Sequence, residues 1–119
     1  PIWMTTTKTF EKVEQQNPGF TKAVTDNTVS RELGVQPIVQ KIQLGEADAG
    51  IVFVTDVPAE RKGLTTVDVP NDVNTELKLQ IAPVTAGKHA EAGKTFIEFM
   101  TTGQGHAVLT EAGYMPTAT

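Results

Sequence analysis

The sequence contains no cysteine. That excludes any thiolate metal site and leaves the redox compartment undecided. It also has no apolar run approaching the ~18 residues that a membrane-spanning helix needs. No basic run appears, and the net charge is −4, which argues against a nucleic-acid surface. His89 and His106 stand far apart, with no HExxH spacing, so nothing points to zinc. Ser30 lacks the flanking glycines of a nucleophile elbow. Glu46 and Asp48 share a turn, where acids are ordinarily solvated, and Gly103-Gln104-Gly105 is too short for a phosphate loop. No catalytic constellation, cofactor motif, internal repeat or low-complexity segment is present.

What remains is an ordinary globular composition. Apolar residues make up 39% and charged residues 20% of 119 positions, enough for one domain with a modest core. The acidic balance does not exclude an anionic ligand, because neutral backbone dipoles bind anions unaided.

The most informative stretch runs from Gly34 to Val57, GVQPIVQKIQLGEADAGIVFVTDV. Val35 and Gln36 lead into Pro37, and proline is favoured in a first helical turn, whose N–H groups lack partners. Ile38, Val39, Ile42 and Leu44 recur at helical spacing, and Gly45 supplies the left-handed residue that ends such a helix. After the turn Glu46-Ala47-Asp48, the run Ala49 to Val54 is continuously apolar and rich in β-branched residues. It predicts a parallel strand covered on both faces. Thr55 and Asp56 follow at its carboxyl end, the edge where open α/β sheets bind ligands. The helix start at Val35 and Gln36 is a candidate oxyanion site, through free N–H groups and the helix dipole. Asp56 is a strand-end cap rather than a ligand, since a carboxylate repels an oxyanion.

Around this stretch the pattern predicts an extended piece at Pro1 to Met4. A helix capped by the hydroxyls of Thr5 to Thr7 then runs to about Gln16, with Phe10 and Val13 buried. Asn17-Pro18-Gly19 reads as a turn, Phe20 to Thr25 as a short helix, and Thr28-Val29-Ser30 as an edge strand. Further on come a polar excursion at Pro58 to Gly63, a strand at Leu64 to Val69 and a turn at Pro70-Asn71-Asp72. Leu77, Leu79 and Ile81 alternate with polar residues as in a half-buried strand. Ala90 to Thr101 is an amphipathic helix with Phe96, Ile97, Phe99 and Met100 on its apolar face. A shorter helix, His106 to Ala112, ends at Gly113, and Tyr114-Met115-Pro116 closes the pattern.

The block Gly45 to Val57, preceded by a β-branched segment opening on Gly34-Val35, resembles the periplasmic molybdate- and tungstate-binding proteins of ABC uptake systems. The resemblance extends from Pro1 to Pro116. It implies a type II periplasmic-binding-protein-like α/β fold, of which this chain matches only the later part. A fragment is expected, since the opening half of the first lobe and a signal peptide or lipoprotein anchor have no counterpart. Residues 1–76 correspond to the second lobe. Residues 77–119 correspond to a hinge strand and C-terminal helices belonging to the first lobe.

The implied function is extracytoplasmic, periplasmic or cell-surface capture of molybdate or tungstate, without enzymatic activity or cofactor. Metal enters only as the oxyanion. Two lobes close on the anion, held by backbone N–H groups and hydroxyls, and deliver it to an ABC permease. The implied ligand-binding residues are Val35, Gln36, Phe53 and Ile2. Two of these, and the neighbour of a third, depart from the family pattern. Phe53 stands where a ligand-donating Tyr is usual, Gln36 where an Arg is common, and Trp3 follows Ile2 where a small residue is usual. Ser30 and Thr55 are the hydroxyls available to replace the lost donor. Two other readings share the residues: an effector-sensing domain of a regulator with the same fold, or a truncated remnant acting through protein contacts. The partner implied for the C-terminal helices is the missing first lobe or a second copy of the chain.

Overall fold

A computed structural model describes residues 2–57 and 63–115. The chain divides into two compact units, Pro1–Leu77 and Lys78–Thr119. Among the described residues the regular elements are all helical.

The first unit opens with α1, Ile2–Gln16, so the extended piece expected up to Met4 is helical instead. Four threonines in its first half weaken helix propensity through their β-branching. They are not caps, as expected, but lie inside the helix. The Thr5 hydroxyl donates to the Ile2 carbonyl at 2.9 Å and the Thr7 hydroxyl to the Trp3 carbonyl at 2.9 Å. Such back-bonding satisfies the hydroxyl without a cap, and lets Thr5 be buried; Thr6 is buried beside it. Phe10 and Val13 are only half-buried. Phe10 meets Phe20 edge-on, with ring centroids 5.4 Å apart.

The expected turn at Asn17 to Gly19 is present, and Gly19 takes φ 92° to open α2, Phe20–Asp26. A glycine offers no side-chain cap. The carboxylate of Glu14 takes that role, accepting the N–H groups of Gly19 and Thr21 at 2.8 Å each. These bonds hold the Glu14 carboxyl below its ordinary range, the Gly19 bond contributing most.

Helix α3 spans Val35–Gln43 with Gly34 as its extended N-cap. Its end matches the glycine signal: the Gly45 N–H donates to the Ile42 carbonyl and the Glu46 N–H to the Lys41 carbonyl. With Gly45 at φ 74°, this is a Schellman closure. Val39 on its inner face is 6% exposed. A second buried apolar residue among the described ones, Val73, follows the Pro70 turn, whose carbonyl accepts the Val73 and Asn74 N–H groups. Lys12 and Gln16 of α1 hydrogen-bond to Asn74 and Asp72 and fix this turn against the helix.

The strands expected at Thr28 to Ser30, Ala49 to Val54, Leu64 to Val69 and Leu77 to Ile81 are not formed among the described residues. A strand needs ladder bonds to a neighbour, and none of these segments pairs with another. The run Ala49 to Val54, expected to be covered on both faces, is largely exposed, Val54 by 71%. Its last residue begins a 3-10 turn, Val54–Asp56. Among the described residues the expected α/β architecture is therefore not realised as a sheet. One contact of the expected helix-and-strand unit does form. A Cβ placed on Gly50 would lie 2.5 Å from Ile38 Cγ2 and 2.8 Å from Ile42 Cδ1, so the bare backbone of the run rests on α3. The polar excursion at Pro58 to Gly63 falls mostly outside the described residues.

In the second unit, α4 spans Ala90–Thr102 and α5 spans Gln104–Glu111. Gly103 alone separates them, and α5 starts two residues before the expected His106. The backbone at Gly105 is buried against Phe99 and Met100. Glu91 and Lys94 pair at 2.7 Å on the outer side of α4. Phe96 and Phe99, expected to be buried, are 53% and 45% exposed. Ile97 and Met100 are half-buried. Leu77, Leu79 and Ile81, expected to be half-buried, are exposed.

Candidate functional site

The start of α3 is built to leave donors free. Gly34 carries no side chain to cap the helix, and no acidic residue occupies the first turn. The first-turn N–H groups have no intrahelical partner and sit at the positive end of the helix dipole. Val35 there is half-buried and Gln36 exposed. At the other end Lys41 faces the negative end of the dipole, which suits its charge.

Ile2, expected to give a backbone N–H, is half-buried at the first position of α1, where that N–H again has no intrahelical partner. Phe53 is half-buried in extended backbone, and its carbonyl accepts the Asp56 N–H at 3.0 Å. Among the described residues no hydrogen bond links Ile2, Val35, Gln36 and Phe53 to one another. Two contacts draw their segments together. The guanidinium of Arg31, in the segment entering α3, lies 4.6 Å from the Trp3 ring, next to Ile2. The Gly50 contact ties the run carrying Phe53 to Ile38, one turn after Val35.

The two hydroxyls considered as replacement donors differ in fate. Ser30 donates to the Glu32 carboxylate and so has spent its proton. Thr55 lies half-buried in the 3-10 turn with Asp56. Glu46 is not simply solvated: its carboxylate pairs with Lys41 at 3.1 Å, and Glu32 approaches the same ammonium at 3.6 Å. Glu46 first, and then Glu32, hold the Lys41 ammonium above its ordinary range.

Among the described residues no group of three His, Asp or Glu side chains is placed to hold a metal ion. His89 caps α4 through its carbonyl, which accepts the Gly93 N–H, and His106 lies within α5. A separate open groove between α1 and α2 is lined by Glu11, Glu14, Thr21, Lys22 and Asp26, away from the start of α3. Sequence reasoning missed the Arg31–Trp3 stack and the Glu32–Lys41–Glu46 chain. The only trace of either was the proximity of opposite charges along the sequence.

Over residues 1–115 the chain matches the family described as bacterial extracellular solute-binding protein, and it belongs to that family. Its curated relatives include the molybdate-binding protein ModA of Mycobacterium bovis and of two strains of Mycobacterium tuberculosis. Each is 28% identical over 88 residues, covering 74% of this chain and 34% of the relative. The aligned part thus spans about a third of those proteins' length. No solved structure matches the chain.

Proposed function

We propose that this chain takes part in extracytoplasmic binding of a tetrahedral oxyanion, molybdate or tungstate, for ABC-type uptake. The observation that carries the reading is the start of α3, where a glycine cap and an acid-free first turn leave backbone donors open. Membership of a solute-binding family and the printed name of the ModA relatives support it.

In this reading Val35, Gln36 and Ile2 present backbone N–H groups, and Phe53 forms a wall without a donor. Binding through neutral donors suits a dehydrated anion that must be released again, because opening the lobes removes half of the contacts at once. Residues 1–76 act as the second lobe of a type II binding protein, and 77–119 as the hinge strand and helices of the first. The segments that run extended without pairing then find their sheet neighbours in the first lobe or in a second copy of the chain. The assembled protein works at the cell surface or in the periplasm, as a free or lipid-anchored protein, and hands the anion to an ABC permease.

Calorimetric titration with molybdate, tungstate, sulfate and phosphate tests this directly. Saturable binding of the two larger anions in preference to sulfate and phosphate is the expected result. Binding of none, in a chain extended by the first lobe, overturns it.

A further inference from the structure

The run from Asn74 to Val84 carries no helix, turn or bridge, and every residue from Glu76 to Ala82 is exposed. The backbone of Glu76 to Ala82 hydrogen-bonds to no other described residue. Leu77, Leu79 and Ile81 are 41%, 63% and 48% exposed, and they alternate with Lys78 and Gln80. In a strand that period of two sets the three apolar side chains on one face and the polar pair on the other. Exposed, unpaired backbone with this pattern is a template for a second strand.

The pattern is also self-complementary, reading apolar and polar alike in both directions from Leu79. In an antiparallel pair of two copies centred there, Leu77 stands across from the partner's Ile81, and Lys78 across from the partner's Gln80. Leu79 meets the partner's Leu79 on the two-fold axis of an isologous dimer. No like charges oppose each other, and Glu76 lies beside Lys78 on the same face.

Other registers are poorer. Centring on Lys78 would set two ammonium groups directly opposite, which destabilises a strand pair. Centring on Leu77 would need Asn74 and Val73 in the ladder. The Asn74 carbonyl is already taken by Lys12, and Val73 is buried. Centring on Gln80 would set Leu77 across from Pro83, which has no N–H to donate. Intermediate registers would oppose apolar residues to polar ones. A two-stranded ribbon alone is marginal in water, so its apolar face must be covered. Most of the run shares a compact unit with α4, whose exposed Phe96 and Phe99 are surface that such a ribbon can bury.

We propose that residues 77–81 join two copies of this chain, pairing antiparallel with the same residues of the second copy about Leu79. The inference is independent of the oxyanion reading, which stands or falls by its own titration.

The sequence has no cysteine, so one introduced thiol reports one pairing. The full chain carrying Leu79→Cys is incubated at micromolar concentration in a glutathione redox buffer and read on a non-reducing gel. Directly opposed residues have Cα atoms about 4.5–5.5 Å apart, within reach of a disulfide. Leu79→Cys should therefore give a covalent dimer. Leu77→Cys alone should not, because the two copies of that position lie roughly 13 Å apart. Mixed with an Ile81→Cys chain, it should. Leu79→Lys sets two ammonium groups face to face at a position that is 63% exposed. It should weaken association about tenfold or more by light scattering, with the helical circular dichroism unchanged. The proposal is overturned if Leu79→Cys forms no disulfide, or if Leu77→Cys alone forms one as readily. A Leu79→Lys chain that associates as the unaltered one does, or an unaltered chain that stays monomeric, overturns it too.

Discussion

The Glu14 carboxylate accepts the backbone N–H of Thr21 at 2.8 Å, across a turn whose cap position is a glycine. It also accepts the Gly19 N–H, so one side chain at the end of α1 satisfies two of the donors that open α2. Both bonds favour the ionised carboxylate, and Glu14 is correspondingly more acidic than its ordinary value of 4.5. Between the lowered folded pKa and the unfolded one, the unfolded chain binds the extra proton, so stability rises with pH in that window. The contribution is complete above the unfolded pKa and is lost as pH falls through the folded one. Unfolding followed by circular dichroism from neutral pH downward should show this acid-side loss, and Glu14→Gln should remove its Glu14 component. An identical pH profile in the variant would mean that the carboxylate does not cap α2.

Lys41 carries the opposite sign. Its ammonium is stabilised by Glu46 and Glu32, which raises its pKa. The stabilisation is present below the unfolded pKa and disappears as pH rises through the folded one. Lys41→Met should therefore lower stability at neutral pH and flatten the alkaline end of the profile, the difference from the parent vanishing once pH passes the folded pKa. A variant as stable as the parent at pH 7 would show that solvent screens the Glu32–Lys41–Glu46 chain completely.

Gly50 permits a close approach of the run Ala49 to Val54 to α3. An added Cβ would meet Ile38 Cγ2 at 2.5 Å and Ile42 Cδ1 at 2.8 Å. Ile38 Cγ2 branches directly from its Cβ and moves only through a χ1 change that a helix disfavours, so the side chain, the run or the helix must shift. Overpacking of this kind costs about 1–3 kcal/mol. Gly45 is constrained for a different reason: space around it is open, but its φ of 74° disfavours a side chain. Gly45→Ala should cost about 1–2 kcal/mol through backbone strain. Urea titrations of the two alanine variants check both, and Gly50→Ala at parental stability would mean that the run does not rest on α3.

Phe53 belongs to the proposed site. Its position near the end of the apolar run, in the proposed wall of the site, lacks a hydroxyl. If that wall faces the anion, Phe53→Tyr adds a donor to a charged acceptor, worth about 1.5–3 kcal/mol. Molybdate affinity should then tighten roughly tenfold to a hundredfold. Calorimetry showing unchanged or weaker binding would remove Phe53 from the site.

The helices were legible because their signals are local. Gly34 and Gly45 bracket α3, the apolar spacing from Phe96 to Met100 marks α4, and Asn17-Pro18-Gly19 marks the break between α1 and α2. The start of α1 was missed because threonine hydroxyls serve equally as caps and as back-bonding groups inside a helix, and only the backbone decides between them. The expected strands are not formed among the described residues, for a more general reason. The run Ala49 to Val54 has strand composition, but a strand exists only with a neighbour, and no pattern within the run states where that neighbour is. Of the candidate site, the helix start could be read from Gly34 and Pro37. The Arg31–Trp3 stack could not, because the two residues stand 28 positions apart in the chain.

The second unit yields the last prediction. Phe96 is 53% exposed and Phe99 45%, on a helix whose spacing makes one apolar stripe, and Val108 on α5 is 62% exposed. Full burial of each such side chain is worth roughly 1.5–3 kcal/mol. With about half of each still exposed, the remaining gain is on the order of a few kcal/mol in sum, a sizeable part of a small domain's stability. Apolar surface of this kind favours association over a lone monomer. In the proposed assembly, a first lobe covers the stripe. Without one, a second copy does so by exchanging the segment Leu77 to Ile81 and the helices that follow. Light scattering at micromolar concentration should therefore report a concentration-dependent dimer of this chain. Phe96→Glu places a charge in the stripe at an already exposed helical position, and should return the chain to monomer while keeping its helical circular dichroism. A compact monomer of the unaltered chain at that concentration would mean that α4 and α5 cover their own apolar faces, and residues 77–119 would then not be a displaced part of a first lobe.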